Sequence, residues 1–354
     1  MRLAQIVPGR RPPAGLVGAV LTRDLLVDGE RWSKGRRLTA ADLARLAAAS
    51  ETRAPGGRSA SQVTVIVAEA GDLHEDEAAL RLAGAIRGPG LELRGPAESR
   101  VDLLAATDGV FRVRVPALER LNRIDPLEVF TVLDGQVVRA GALVASVKVA
   151  PHVVAESAVL AGERVALRAG PLVQVAPFAR WRVGIVVKEM IGEQARARFE
   201  ASIRARVEGL GSAVAAFRYV GDDPGAVAEA LRTFSHGPGR VDLLLTAGAG
   251  STDPLDAVFV ALARVGGRIV RHGVPAHPGS MLWLGRIGRT IVLGLPTCGA
   301  YSKATAVDLL LPWLLAGEPA SAATVARLGH GGILGRDQRF RFPTYALQLE
   351  APEG

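Results

Sequence analysis

From Arg182 to Leu315 the chain alternates strand-like and helix-like segments at short, regular spacing, and few folds accommodate that pattern. RVGIVVK (182–188) reads as a strand, 193–209 as a helix, 213–220 as a strand, and 222–233 as a helix capped by Asp222 or Asp223 with Pro224 in its first turn. Strands at 241–245, 268–272 and 290–295 follow, with helices at 255–265 and 301–315 between and after them. Runs apolar on both faces, separated by helices, predict an α/β fold: a three-layer α/β/α arrangement around a mostly parallel sheet. Ligands of such sheets bind beyond the carboxyl ends of the strands. That rule gathers the loops 188–192, 246–256 and 296–303 at one edge.

The third of these units, VDLLLTAGAGSTDPLD (241–256), is the most informative. Its apolar run stops at a small-residue loop, and Asp253-Pro254 then offers a helix start, the carboxylate accepting an orphan N–H and the proline taking the first helical position. A loop of this kind aims backbone N–H groups and the positive end of a helix past the strand, which suits an anion. Glycines after a strand also serve simply to turn the chain, and both readings stand at this point.

The first half has a different texture and is read as a β-rich α+β region. SKGRRLTAADLARLAAA (33–49) contains a helix with Thr39 as N-cap and Asp42 in a capping-box position. The acidic cluster Asp72, His74, Glu75, Asp76 and Glu77 could suggest a metal, but it opens the alanine-rich helix 75–86, where negative side chains favour the helix dipole. Short alternating runs from 91 to 149 predict strands, and Lys148 within them could suggest a carrier lysine or an ordinary strand position. SAVLAGERVALRAG (157–170) predicts a helix. We expect an α+β region at 1–90, a β-rich region with a helical connector at 91–180, the α/β/α domain at 181–320 and a tail at 321–354.

Charge and composition narrow the class. The 354 residues carry a formal +8, but only four of the 43 basic residues are lysines and aromatics make up 5%, so the basic stripe with interleaved aromatics expected for nucleic-acid binding is missing. The single Cys298 forms no internal disulfide and fits a reducing compartment. The apolar stretch 304–316 contains Asp308 and Pro312 and is too short to span a bilayer. The expectation is a soluble cytoplasmic protein with no nucleic-acid or membrane partner. GHGG (329–332) has no G-x-S-x-G nucleophile elbow to serve, and GAGSTD lacks the third glycine of a dinucleotide fingerprint.

The ordered trio TAGAGSTDPLD, GGRIVRHGVPAHPG and IVLGLPTCGAYSKATAVDLLLPWLLAG resembles the molybdopterin-binding domain of molybdenum-cofactor biosynthesis proteins. SKGRRLTAADLARLAAA is similar to the amino-terminal element of the molybdopterin molybdenumtransferases. The resemblance implies molybdopterin or a related phosphorylated pterin as ligand, with molybdate and Mg²⁺ as further partners and a homo-oligomeric assembly. It implies a phosphate-facing turn at Gly248, Gly250 and Ser251 beside Thr246, and a ligand-side loop at Pro278 and Gly279. Pro296 would precede the pterin-side helix, and Lys303 would reach a phosphate or stand exposed. Asp253 and Asp256 take the place of the family's catalytic acid, with Asp256 the metal ligand. The sequence departs from the family where Gly-Gly becomes Gly-Ala-Gly, where Leu-Pro-Gly-Asn-Pro becomes LPTCG, and where Lys188 follows the first strand in place of a hydroxyl residue. If the chain is an enzyme, it is a transferase handling molybdenum on the pterin. A non-catalytic pterin carrier and a nucleotide-pyrophosphate hydrolase of the competence/damage-inducible type are the alternatives.

Overall fold

The computed structural model describes residues 1–97, 99–189, 191–248, 252–295 and 304–349. The chain divides into two compact units. The first comprises Met1–Thr107, Arg112–Asp134 and Ala140–Val175, and the second Asp108–Phe111, Gly135–Arg139 and Ala176–Gly354.

In the first unit a four-stranded antiparallel sheet runs in the order Leu127–Thr131, Leu143–Val149, Arg100–Ala105, Leu91–Ala97. Helix Glu75–Ile86 buries Ala79, Leu82, Ala83 and Ile86 in the core of this unit. Helix Glu156–Ala169 lies beside it, and Gly162 is what lets the two approach, since a Cβ there would stand 3.0 Å from the Leu82 side chain and 2.8 Å from that of Leu127. Arg81 ties the helices together, reaching Glu156 at 2.8 Å and Glu163 at 3.0 Å.

The acidic stretch 72–77 serves the helix start, as its sequence suggests. His74 is the N-cap and accepts from Asp76 N–H, while its other ring nitrogen lies 2.8 Å from Gly35 O, so that nitrogen carries the proton. The capping box also forms, with Thr39 and Asp42 bonding to each other's backbone N–H. Lys148 is the penultimate residue of its strand, paired with Glu128 on one side and Arg100 on the other.

The second unit is built on β1 (Arg182–Val187), α1 (Glu193–Glu208), β2 (Ala213–Tyr219), α2 (Pro224–Ser235), β3 (Leu243–Ala247), α3 (Ala257–Arg264), β4 (Arg268–Arg271), β5 (Trp283–Ile287), β6 (Thr290–Leu295) and α4 (Val307–Leu315). Its six strands lie in the order β2-β1-β3-β6-β5-β4. The first four are mutually parallel, whereas β5 and β4 run antiparallel to their neighbours.

Strand alternation sorts the core onto two faces. Ile185, Leu243, Leu245 and Leu293 pack with Phe199, Ile203, Leu310 and Leu314 of α1 and α4. Val186, Leu244, Val292 and Trp283 pack with Val227, Leu231, Val258 and Leu262 of α2 and α3. Each fully buried aliphatic side chain contributes roughly 1.5–3 kcal/mol, which is why both faces are covered. The short pair Gly109↔Val138 and Val110↔Val137 belongs to this unit, where the Trp313 indole donates to Gly135 O at 2.8 Å.

The α/β/α, mostly parallel architecture matches the sequence expectation. Two details differ. Strand β5 was not expected, because WLGRI lies behind a Pro/Gly loop and carries Arg and Gly in a run of five. Helix α3 starts at Ala257 with Asp256 as its N-cap, three residues beyond the expected cap at Asp253. Asp253 instead closes a tight turn, its Oδ1 accepting Leu255 N–H at 2.8 Å, and Pro254 lies in that turn. Among the described residues no helix is long and apolar enough to cross a membrane.

Candidate functional site

Register places the strand ends side by side: Val187 pairs with Ala247, and Ala247 with Leu295, all in parallel. The chain therefore leaves β1, β3 and β6 at one rim. Strand β5 enters from the same rim, because its first residue Trp283 pairs antiparallel with Gly294.

Lys188 is the first residue past β1, and its N–H extends the ladder to Ala247 O at 3.1 Å. Its side chain is 9% exposed, and the ammonium lies 2.8 Å from Asp256 Oδ2 and 3.0 Å from Asp222 Oδ1. Burial acts to lower the Lys188 pKa, but hydrogen bonds to Asp256 and then Asp222 outweigh it and hold the pKa above the ordinary lysine value. Asp256 is equally buried and committed on both oxygens, since Oδ1 accepts Val258 N–H at 2.9 Å to cap α3. Asp222 is the exposed partner, 67% accessible, standing one residue before Asp223, the N-cap of α2.

Gly248 turns the chain out of β3 at φ +91°, a conformation that disfavours L side chains. A Cβ there would stand 2.9 Å from Glu189 Cγ and 3.0 Å from Lys188 Cγ, so this glycine also makes room for the lysine stem. Thr246 is fully buried, and its hydroxyl has no hydrogen-bond partner among the described residues. It pairs with Gly294 on β6, and Gly294 pairs in turn with Trp283, whose indole N–H is likewise buried with no partner among the described residues. The indole fills the space a side chain at 294 would take and packs edge-on against Phe259, ring centroids 5.1 Å apart.

Pro278 and Gly279 stand at the approach to α4. Ala306 N–H donates to Pro278 O at 2.9 Å, and a Cβ at Gly279 would lie 2.8 Å from Ala306 N. Gly250, Ser251, Pro296, Cys298 and Lys303 lie outside the described residues.

The rim thus gathers Lys188, Thr246, Gly248 and Asp256 around the ends of the neighbouring strands β1 and β3, with the entry to β5 two strands further along and Asp253 exposed in the turn ahead of Asp256. As a magnesium site the described residues fit poorly. Mg²⁺ demands near-octahedral oxygen ligands, yet both Asp256 oxygens already accept hydrogen bonds, and an ammonium stands against the Asp256 carboxylate. No group of three or more His, Cys, Asp or Glu among the described residues could hold a metal ion.

The ion cluster was the part that sequence reasoning missed. Lys188 registered only as a departure from the family pattern, and Asp222 only as an alternative helix cap. The available signal was a lysine directly after a strand buried along nearly its whole length.

Residues 184–316 match the family model described as "Probable molybdopterin binding domain". Among solved structures, the molybdopterin biosynthesis enzyme MoaB from Thermus thermophilus aligns at 24% identity over 40% of this chain and 99% of that one, with a TM-score of 0.29. The molybdopterin biosynthesis MoeA protein from Pyrococcus horikoshii aligns at 14% identity over 73% and 81%, with a TM-score of 0.26. A molybdenum cofactor biosynthesis protein B aligns at 17% identity over 49% and 98%, also at 0.26. No curated protein matches the chain.

Proposed function

Because residues 184–316 carry a domain of the molybdopterin-binding family, we propose that this chain binds molybdopterin, or a related phosphorylated pterin, within molybdenum cofactor biosynthesis. The observation that carries the reading is that the matched segment holds all the strand ends of the rim, with a buried ammonium beside the glycine turn. In this reading the backbone of 248–251, with Gly248, Gly250 and Ser251, meets the ligand phosphate, since backbone N–H groups ahead of a helix suit an anion. The Thr246 hydroxyl and Lys188 line the floor. Pro278, Gly279, Pro296 and Lys303 contact the pterin side.

Asp256 acts by holding Lys188 and α3 in place. That favours a protein that binds and hands on the pterin over one that inserts molybdenum, since the carboxylate proposed as the catalytic acid is already engaged on both oxygens. The direct test is a fluorescence titration of the purified chain with molybdopterin. Saturable binding at micromolar ligand is expected, and its absence removes the proposal. Molybdate- and nucleotide-dependent product formation by the same preparation would replace the carrier role with the transferase.

A further inference from the structure

We infer that Lys188 is the cation of this site, standing between Asp256 and Asp222 where a divalent metal ion would be held, and that the anionic end of the ligand meets this ammonium without a metal. The inference rests on the pterin-binding reading for the ligand, but its argument about the cation stands on the ion cluster alone.

Asp222 and Asp256 approach one point from two different strand-to-helix connections, and both have an oxygen within 3.0 Å of it. Two carboxylates converging in this way ordinarily receive a cation, and here the chain supplies it. The lysine stem passes close to Gly248, where even a methyl group would crowd it, and its ammonium is held by both carboxylates. Burying an ammonium is costly unless it is paired, so packing alone gives no reason to end a buried strand in lysine when an apolar residue would serve.

An ammonium has three donors, and the described residues provide acceptors for two of them, Asp222 and Asp256. The two acceptors are unequal: Asp256 is buried and tied to its helix, whereas Asp222 is mostly exposed and screened by solvent. A ligand oxyanion can therefore take the third donor, or replace Asp222, without disturbing the Lys188–Asp256 pair. A metal can bind only by expelling the ammonium.

Mn²⁺ is the probe, its free ion followed by electron paramagnetic resonance in the presence of the full chain. The unaltered chain is expected to leave the free Mn²⁺ signal undiminished, and Lys188→Met, folded by circular dichroism, to deplete it saturably. Depletion by the unaltered chain that Asp256→Asn abolishes would overturn the inference, as would a folded Lys188→Met chain that takes up none. Should Lys188→Met not fold, the unaltered chain still decides through molybdopterin titrations in EDTA and in Mg²⁺. Equal affinities are expected, and a requirement for Mg²⁺ would refute the ammonium's role. If molybdopterin does not bind at all, the pterin reading fails while the Mn²⁺ result still reports on the cation.

Discussion

Arg206 Nε donates to Asp308 Oδ1 at 2.9 Å, joining α1 to α4 across 102 positions of sequence, with the two side chains 1% and 0% exposed. Asp308 also accepts Thr305 N–H at 2.8 Å, and Arg206 also donates to the Ser202 hydroxyl. Removing one member takes a buried counter-charge from the other, a loss of about 3–5 kcal/mol, whereas replacing both with apolar groups of similar size is far milder. Asp308→Ala is therefore expected to lower the urea midpoint strongly, and Arg206→Met with Asp308→Leu to recover much of the loss. A double variant as unstable as Asp308→Ala would show that the pair does more than satisfy its own charges.

Gly294 and Gly248 answer to different constraints. Alanine at 294 must displace the Trp283 indole from a packed face, an overpacking cost of roughly 1–3 kcal/mol. Alanine at 248 meets a left-handed backbone, costing about 1–2 kcal/mol, and also crowds the Lys188 stem. Gly294→Ala should lower stability with a change in Trp fluorescence, and Gly248→Ala should weaken pterin binding as well. Equal pterin affinity for Gly248→Ala and the unaltered chain would separate this turn from the ligand.

Thr246 offers a sharp distinction between stability and function. Its buried hydroxyl has no partner among the described residues, so Thr246→Val exchanges an uncompensated polar group for a methyl of similar volume and is expected to be neutral or stabilising by up to about 1 kcal/mol. Pterin affinity should fall in the same variant if the hydroxyl serves the ligand. Calorimetry and titration on one preparation check both, and a clear drop in Tm would mean that the hydroxyl has a partner in solution.

Asp102 in the first unit gives a pH dependence with a definite sign. Its carboxylate accepts from Arg100 at 2.7 Å, and burial opposes the effect of that bond. Arg94 at 2.8 Å and Ser146 at 2.7 Å add to it, so the pKa lies well below the usual carboxylate range. A depressed folded-state pKa stabilises above the unfolded value of about 3.9 and ceases to do so as pH falls towards the folded value. Both arginines are substantially exposed, so solvent screening limits the gain, and Asp102→Asn should cost about 1 kcal/mol at neutral pH. Urea denaturation should show that deficit unchanged from pH 7 to about 5 and shrinking below about 4. A deficit independent of pH would assign the loss to packing.

The alternation of the second unit was legible because a strand covered on both faces must be apolar along its length and the covering helices must carry an apolar stripe, constraints that each short segment meets on its own. The Thr39 capping box was legible for the same reason, since both partners lie within a few residues, whereas the cap of α2 was legible only as Asp222 or Asp223 and the structure chose Asp223. Strand order and the antiparallel return through β5 and β4 were not, because which strand neighbours which depends on packing among segments far apart in sequence. The choice of Asp256 over Asp253 as the cap of α3 was likewise settled by the turn that 253–255 makes before the helix begins. Lys188 shows the division most plainly. Its sequence position marked it as unusual, but its partners lie 34 and 68 residues away. Local sequence can state that a buried charge needs a counter-charge, and only the folded sheet, by setting three strand ends at one rim, decides which carboxylates supply it.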